Sequence, residues 1–306
     1  MTGTVLILGA SGNFGKNAAL AFETAGWTVR KFDRKTGDMQ RDAQGADVIV
    51  NAMNPPAYHD WETLIPAITR DVIAAAKSSG ATVIVPGNVY VYGNQLGPWS
   101  ADTPHRPIAR KGTIRSEMEA TYRKTAADGV RTIILRGGDF IDPDSPGAVL
   151  NMVVLKSLSK GKITAMGHPA AQRAHAYLPD MARAAVALAE KRDSLASFED
   201  VPFPGHVLSI NGLKAGIEAQ TGRRLRLARF PWWAMRLAAP VWELARELVE
   251  MRYLYETPHE LSGEKFARLL PGFRHTPLTT IIARQVAAGA PAASGKVEID
   301  PDKSVA

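Results

Sequence analysis

The sequence predicts an α/β protein built on a doubly wound parallel sheet, followed by a smaller α/β lobe. Three observations carry this. Short apolar runs alternate with helix-length segments as far as residue 135, glycines crowd the junction between the first run and the first helix, and the order loosens beyond Gly137.

Residues 4–8 form a short continuous apolar run, as in a strand covered on both faces. The turn Gly9-Ala10-Ser11-Gly12-Asn13-Phe14-Gly15 leads into a helix that runs to about Gly26. A second strand is predicted over 27–33 and another over 47–52. Only thirteen residues separate them, too few for a full strand-plus-helix crossover, so one unit is truncated here. A helix over 60–79, a strand over 81–86, a loop rich in Gly, Pro and Asn, a helix over 109–128 and a strand over 131–135 complete the alternation. Farther on the patterning predicts helices near 147–159, 179–191, 211–221, 231–255 and 262–270, with short strands at 162–165 and 206–210. The expected division is a nucleotide-binding domain over 1–140 that also takes in part of 170–210, a smaller substrate lobe over 141–290, and a low-complexity tail over 291–306.

Composition narrows the chemistry. Of 306 residues, 45% are hydrophobic and 22% charged, enough apolar material for a sizeable core. Cysteine is absent, which excludes a disulfide framework, a thiolate nucleophile, Cys-ligated zinc and a Cys-held iron–sulfur cluster. The seven histidines show no metal-ligand spacing, so no metal is expected. The net charge of +7 permits attraction to anions without pointing to nucleic acid. No stretch approaches a membrane span, and the start has neither the basic segment nor the apolar run of a signal peptide; the expectation is a cytoplasmic protein acting on a small molecule, with a homodimer as a further option.

Gly9, Gly12 and Gly15 stand at G-x-x-G-x-x-G spacing directly after a strand and at the start of a helix, a Rossmann-like arrangement. Glycine there lets the backbone turn tightly and lets a pyrophosphate approach the helix N-terminus, where free N–H groups of the turn, Ser11, Asn13 and Phe14 among them, hold the anion. The second strand ends 18 residues after Gly15 at Asp33, which could accept from a ribose 2′-OH and favour NAD, whereas the adjacent Arg34 could pair a 2′-phosphate and favour NADP. Because an Arg can reach around a neighbouring carboxylate, the reading leans to NADP(H) over NAD(H). Asp38 and Met39, in the truncated segment, are candidates for the adenine pocket or ordinary loop residues.

With this turn, with Asn51-Ala52-Met53 after the strand at 47–52, and with Pro86-Gly87-Asn88-Val89-Tyr90-Val91-Tyr92-Gly93 after the strand at 81–86, the chain resembles the extended short-chain dehydrogenase/reductases, which include the NAD-dependent epimerase/dehydratases. Arg136-Gly137-Gly138-Asp139-Phe140 resembles the loop that family places near nicotinamide and substrate, and Tyr177-Leu178-Pro179-Asp180-Met181-Ala182 a later segment of it. The resemblance runs to about residue 190. It implies cofactor contacts from Asn51, Ala52, Met53, Pro86, Gly87, Asn88, Arg136 and Gly137, and substrate contacts from Asn54, Tyr58, Tyr90, Tyr92, Trp99 and Phe140.

The chain departs from that family at its reacting centre. The usual hydroxyl position is Asn88, and the next helix has no Tyr-x-x-x-Lys; Lys111-Gly112-Thr113-Ile114-Arg115 stands in its place, as in isoflavone-reductase-like and NmrA-like members. In reductases of that branch a Lys replaces the Tyr as proton handler. A lysine must have its pKa depressed to act near neutrality, and Arg115, one turn on along the same helix face, would push Lys111 in that direction. Asn88 could orient a carbonyl, while Tyr90, Tyr92 and Tyr58 are reserve proton donors. Alternatively, the basic face with Arg106 and Arg110 holds an anionic substrate, or is only solvated. The leading expectation is an NAD(P)(H)-dependent oxidoreductase that reduces a carbonyl or activated double bond. A sugar-nucleotide epimerase or dehydratase is the alternative within enzymology, and a non-catalytic NmrA-like redox sensor the alternative outside it. The stretch from Phe230 to Arg252, with Trp232, Trp233 and Trp242, reads as an amphipathic helix kinked at Pro240 that caps the lobe or meets a second subunit; the alternative is a helix lying on a membrane surface, against which Glu243, Glu247 and Glu250 weaken attraction to anionic lipid.

Overall fold

A computed structural model describes residues 2–35, 37–145 and 147–289; the expected tail at 291–306 lies outside the described residues. Strand β1 (Thr4–Leu8) is followed by helix α1 (Asn13–Thr24), β2 (Thr28–Lys31), the single-turn α2 (Met39–Asp42), β3 (Val48–Asn51), α3 (Trp61–Ser79), β4 (Thr82–Gly87), α4 (Arg110–Thr125) and β5 (Thr132–Arg136). The alternation read from the sequence is therefore present, and α2 is the remnant of the truncated crossover. Asp38 caps α2 by accepting from the Arg41 N–H.

Then come β6 (Asp139–Ile141), β7 (Lys162–Ala165), β8 (Arg173–Tyr177), α5 (Leu178–Glu190), β9 (Phe198–Pro202), β10 (His206–Leu208), α6 (Ile210–Thr221), β11 (Arg226–Arg229), α7 (Trp232–Ala238), α8 (Glu243–Glu250), α9 (Tyr253–Glu256), α10 (Glu264–Leu269) and α11 (Leu278–Gly289). Three expectations are corrected here. The helix expected over 147–159 is only a wide turn at Leu150–Val154 and a tight one at Leu158–Lys160. The helix expected over 231–255 is three short helices, because Pro240 lacks the N–H to continue α7. The strands β6, β8, β9 and β11 and the helix α11 were not foreseen.

The main sheet has the order β2-β1-β3-β4-β5-β9 and is parallel throughout. The chain runs outward from β1 to β2 and then returns past β1 to β3, so the order reverses at β1 and β3, and ligands of such sheets sit outside the strand carboxyl ends at that point. The sheet is covered on one face by α1 and α5, through Phe14, Phe22, Met181 and Leu188, and on the other by α3 and α4, through Trp61, Ile65, Val72, Met118 and Tyr122. In α1, the buried Phe14, Ala18, Ala19 and Phe22 follow the spacing that turns one helix stripe to a core. Two small sheets, β10-β8-β6 and β11-β7, lie beyond the main sheet and share a core with Trp232, Leu213, Ile217 and Ile281.

Candidate functional site

The glycine turn lies where the strand order reverses. Gly9 has φ +76°, and a Cβ there would meet the Ala52 carbonyl at 2.8 Å; a Cβ on Gly15 would meet the Gly9 carbonyl oxygen at 2.1 Å. The Gly12 N–H donates to Gly9, and α1 has no side-chain cap at Gly12, which leaves first-turn N–H groups for a ligand. Ser11 is exposed on the turn and Asn13 half-buried at the helix start, whereas Phe14 is buried and anchors the turn from below. Lys16 pairs with Asp142 at 3.6 Å and reaches the Asp144 carbonyl, and Asn17 donates to Asp142. The loop after β6 is thus tied to the first turns of α1, a contact whose only trace in the sequence is its Asp-Pro-Asp-Ser composition.

Beside the turn is a pocket of about 390 Å³ lined by Phe32, Arg34, Asp38, Met39, Met53 and Ile68 among others. Arg34 lines it, whereas the Asp33 carboxylate accepts from the Lys35 N–H. Asn51 is an internal brace, donating to the Tyr122 hydroxyl and accepting from the Met53 N–H, and the Ala52 backbone lies against Gly9. A dinucleotide therefore fits these residues: a tight glycine turn that a Cβ at Gly9 or Gly15 would force open, an uncapped helix start, and an adjoining pocket with a cation on its wall.

Farther along the sheet edge, β4 ends at Pro86 and Gly87, and Asn88 folds its side chain back to accept from the Tyr90 N–H. Arg136 corrects an expectation. Rather than facing a cofactor, it is fully buried, binds Glu119 and Asp200 at 2.6 Å each, and donates to the Asn88 carbonyl at 2.6 Å. Its guanidinium holds the loop that carries Asn88 and Tyr90. His105, Glu119 and Asp200 bring potential metal-ligand atoms together, but both carboxylates are engaged by Arg136. Gly137 donates to Gly87, and a Cβ on it would touch Ala176 and Met181, so it is a packing glycine. Phe140 is half-buried against the core on the α1 side.

Five expected residues do come together. The Tyr58 and Tyr90 hydroxyls are 3.2 Å apart, the Lys111 Nζ lies 5.1 Å from the centre of the Tyr58 ring, and Arg115 donates to Asn54 at 2.6 Å while stacking on Trp61. Tyr58 is aimed by a turn in which Ala57, Tyr58 and Asp60 all have positive φ, a concentration of backbone strain beside the cluster. Burial pushes both phenols up, Tyr90 far more than Tyr58, so both hydroxyls keep their protons at neutral pH. Tyr92 and Trp99 are corrected: both are fully buried in a tilted ring contact 4.9 Å between centroids, with Trp99 stacked on His259 and Tyr92 donating to the Ser100 carbonyl, and neither walls a cleft.

The setting expected for Lys111 is also corrected. It is 1% exposed and sits 2.5 Å from the carboxylates of both Glu247 and Glu250, delivered by α8 from the far end of the chain. Arg110 joins Glu247 at 2.8 Å, and His59 meets Glu243 at 3.0 Å, so α8 is strapped across α4 and the Tyr58 turn. The ammonium is neutralised by carboxylates rather than flanked by Arg115. Sequence reasoning also missed Asp139, which pairs with Arg173 at 2.6 Å. Burial alone would raise its carboxyl, but Arg173, His175 and His259 outweigh that and hold it below the usual range.

The chain matches the NAD dependent epimerase/dehydratase family over residues 5–202. No curated protein matches it. Among solved structures it is similar to MoeE5 in complex with UDP-glucose and NAD, with a TM-score of 0.75, 17% identity, and 94% of this chain and 98% of that one covered. It is similar to the UDP-glucuronic acid 4-epimerase from Bacillus cereus in complex with NAD, with a TM-score of 0.73, 15% identity and the same coverage. A UDP-galactose 4-epimerase follows at a TM-score of 0.67 and 16% identity, again covering 94% and 98% of the two chains. At these identities the likeness speaks for the fold.

Proposed function

The chain belongs to the NAD-dependent epimerase/dehydratase family, and from that premise we propose that it binds a nicotinamide dinucleotide and acts as a sugar-nucleotide epimerase or dehydratase. The observation that carries this reading is the alignment, along one sheet edge, of the glycine turn, the pocket holding Arg34, and the Tyr58–Tyr90–Arg115 cluster. Relatives of the same fold bind NAD together with UDP-sugars, which supports the substrate class.

The backbone of Gly12 to Gly15 holds the pyrophosphate and Arg34 the adenosine end, with NADP(H) preferred where Arg34 meets a 2′-phosphate. The dinucleotide supplies a site that accepts and returns hydride. Asn88 orients the reacting oxygen. The Tyr58–Tyr90 pair holds the proton that this oxygen gains or loses, and Arg115, whose charge lowers the Tyr58 phenol, favours its release. Lys111 supports Tyr58 through its ring and couples the pair to Glu247 and Glu250.

The test is incubation with UDP-glucose and with UDP-glucuronic acid in the presence of NAD+ or NADP+. The expected result is an isomerised or dehydrated sugar nucleotide with no stoichiometric build-up of reduced cofactor. Sugar nucleotides recovered unchanged under all four conditions sink the reading. A second reading, net reduction of a carbonyl or activated double bond, is favoured by the raised phenols, which are donors rather than bases at rest. It requires NADPH or NADH to be oxidised in proportion to product.

A further inference from the structure

We propose that β11, α7 and the turn at Val241 and Trp242 dock this protein onto an anionic membrane surface. From Gly222 to Trp242 the chain carries five arginines, at 223, 224, 226, 229 and 236, and no acidic residue. All five are exposed, and among the described residues none has a salt-bridge partner. Arg224 has an acid within electrostatic reach, Glu218, which is paired with Lys214. Arg226 lies directly beside Lys162 in the β11–β7 register, both side chains exposed, so like charges stand together with no internal relief. Such a cluster fits an anionic partner.

The same segment exposes large apolar groups. Trp233 is 69% exposed, Leu237 74% and Val241 92%, with Trp242 beside them. Trp233 and Leu237 share one face of α7 at i, i+4 spacing, and Val241 and Trp242 form the turn into α8. The ribbon and α7 are joined rigidly: the Phe230 N–H donates to Ala165, and the buried Trp232 donates through its indole to the Met166 carbonyl. One indole of the Trp232–Trp233 pair is therefore core and the other is surface, and the arginines and apolar groups keep a set relation to each other.

Charge and apolarity together select the occupant. A second copy docking this patch on itself would bring five arginines against five, because a two-fold interface is self-complementary. A nucleic acid would satisfy the arginines but leave Leu237 and Val241 in water. A bilayer surface with acidic headgroups satisfies both, with guanidiniums on phosphates and the Trp and aliphatic groups at the acyl boundary. Among the described residues no helix is long and apolar enough to cross a membrane, which suits docking on the surface rather than insertion through it.

The experiment is vesicle sedimentation of the full chain with phosphatidylcholine alone and with equimolar phosphatidylcholine and phosphatidylglycerol, at low and high salt, followed by indole fluorescence. Binding is expected to the anionic vesicles only, weakened by salt and accompanied by a blue shift. The triple variant Arg223→Ser, Arg226→Ser, Arg236→Ser is expected to bind about a hundredfold more weakly, and Trp233→Ser, Leu237→Ser, Val241→Ser to bind weakly and lose the shift. These side chains are exposed, so both variants should retain the parent melting temperature. Failure to bind anionic vesicles overturns the proposal, as does equal binding to neutral ones or binding unchanged in both variants. It is also overturned by a dimer in light scattering that dissociates in the apolar variant, or by an oligonucleotide displacing the protein from vesicles through the arginines alone.

Discussion

Replacing Lys111 by Met tests whether α8 is held over the candidate site by a buried ion pair. Lys111 and Glu247 are each 1% exposed and 2.5 Å apart. Removing one member of such a pair leaves an uncompensated buried charge, which costs about 3–5 kcal/mol. Two partially exposed partners of Glu247 would remain, Arg110 at 2.8 Å and Arg246 at 3.3 Å. Each is worth about 0.2–1 kcal/mol. The expected loss is therefore at the lower end, about 3 kcal/mol, measured by urea unfolding with circular dichroism at neutral pH. The double variant Lys111→Met, Glu247→Leu removes both charges and should recover most of the loss, giving a coupling of roughly 2 kcal/mol or more in the cycle. Acidity adds a second readout. Burial raises the Glu247 carboxyl, but Lys111 and then Arg110 hold it below its ordinary 4.5. The stability it contributes is present above that ordinary value and lost as pH falls through the lower folded value. In the Lys111→Met protein the carboxyl instead takes up a proton more readily, so the gap between the two proteins should narrow on acidification below about pH 4.5. A single variant that costs less than about 1 kcal/mol, or a double variant no better than the sum of its parts, would refute the reasoning.

Gly15→Ala should reduce dinucleotide affinity at least about tenfold, because its Cβ would stand 2.1 Å from the Gly9 carbonyl oxygen and the backbone must open; calorimetric titration with NADPH and NADH measures it, and unchanged binding would place the cofactor elsewhere. Arg34→Ala should weaken NADPH about tenfold or more while leaving NADH nearly unaffected, since a hydrogen bond to a charged group is worth about 1.5–3 kcal/mol; equal effects on both would remove Arg34 from the 2′-phosphate. Burial lowers the His175 imidazole from 6.5 to about 4, with Arg173 adding to the effect and Asp139 opposing it. The unfolded chain then binds the proton first, so stability should fall as pH drops from 6.5 toward 4, by about 3 kcal/mol for this group. His175→Gln should flatten that slope, and an unchanged slope would assign it to the other lowered histidines, His105, His206, His259 and His275.

What the sequence determined by itself is the part of the protein governed by local rules. An apolar run, three spaced glycines and an amphipathic helix define β1, the turn and α1, because the glycine backbone and the 3.6-residue period act over neighbouring residues. The thirteen-residue gap foretold the vestigial α2, since a crossover needs a minimum length of chain. That Asn88, Tyr58, Tyr90 and Arg115 lie near the sheet edge was likewise legible in position, because Asn88, Tyr58 and Tyr90 follow strands and Arg115 shares a helix with Lys111.

Only the tertiary structure decided which charges meet. β9 is the sixth strand of the main sheet, yet Phe198-Glu199-Asp200-Val201-Pro202 has no apolar run to announce it; its place is set by pairing with β5 and by Asp200 meeting Arg136. The carboxylates that claim Lys111 lie on α8, more than 130 residues away, and nothing in the periodicity of either helix reports the encounter. Arg136 reads as a site residue from its neighbours and is a buried strut because two acids from distant elements enclose it. The same holds for Trp232 and Trp233, identical in sequence terms, where packing against Met166 buries one and leaves the other to solvent. Periodicity acts through adjacent backbone geometry, whereas ion pairing and burial depend on positions that exist only once the sheet has brought distant segments together.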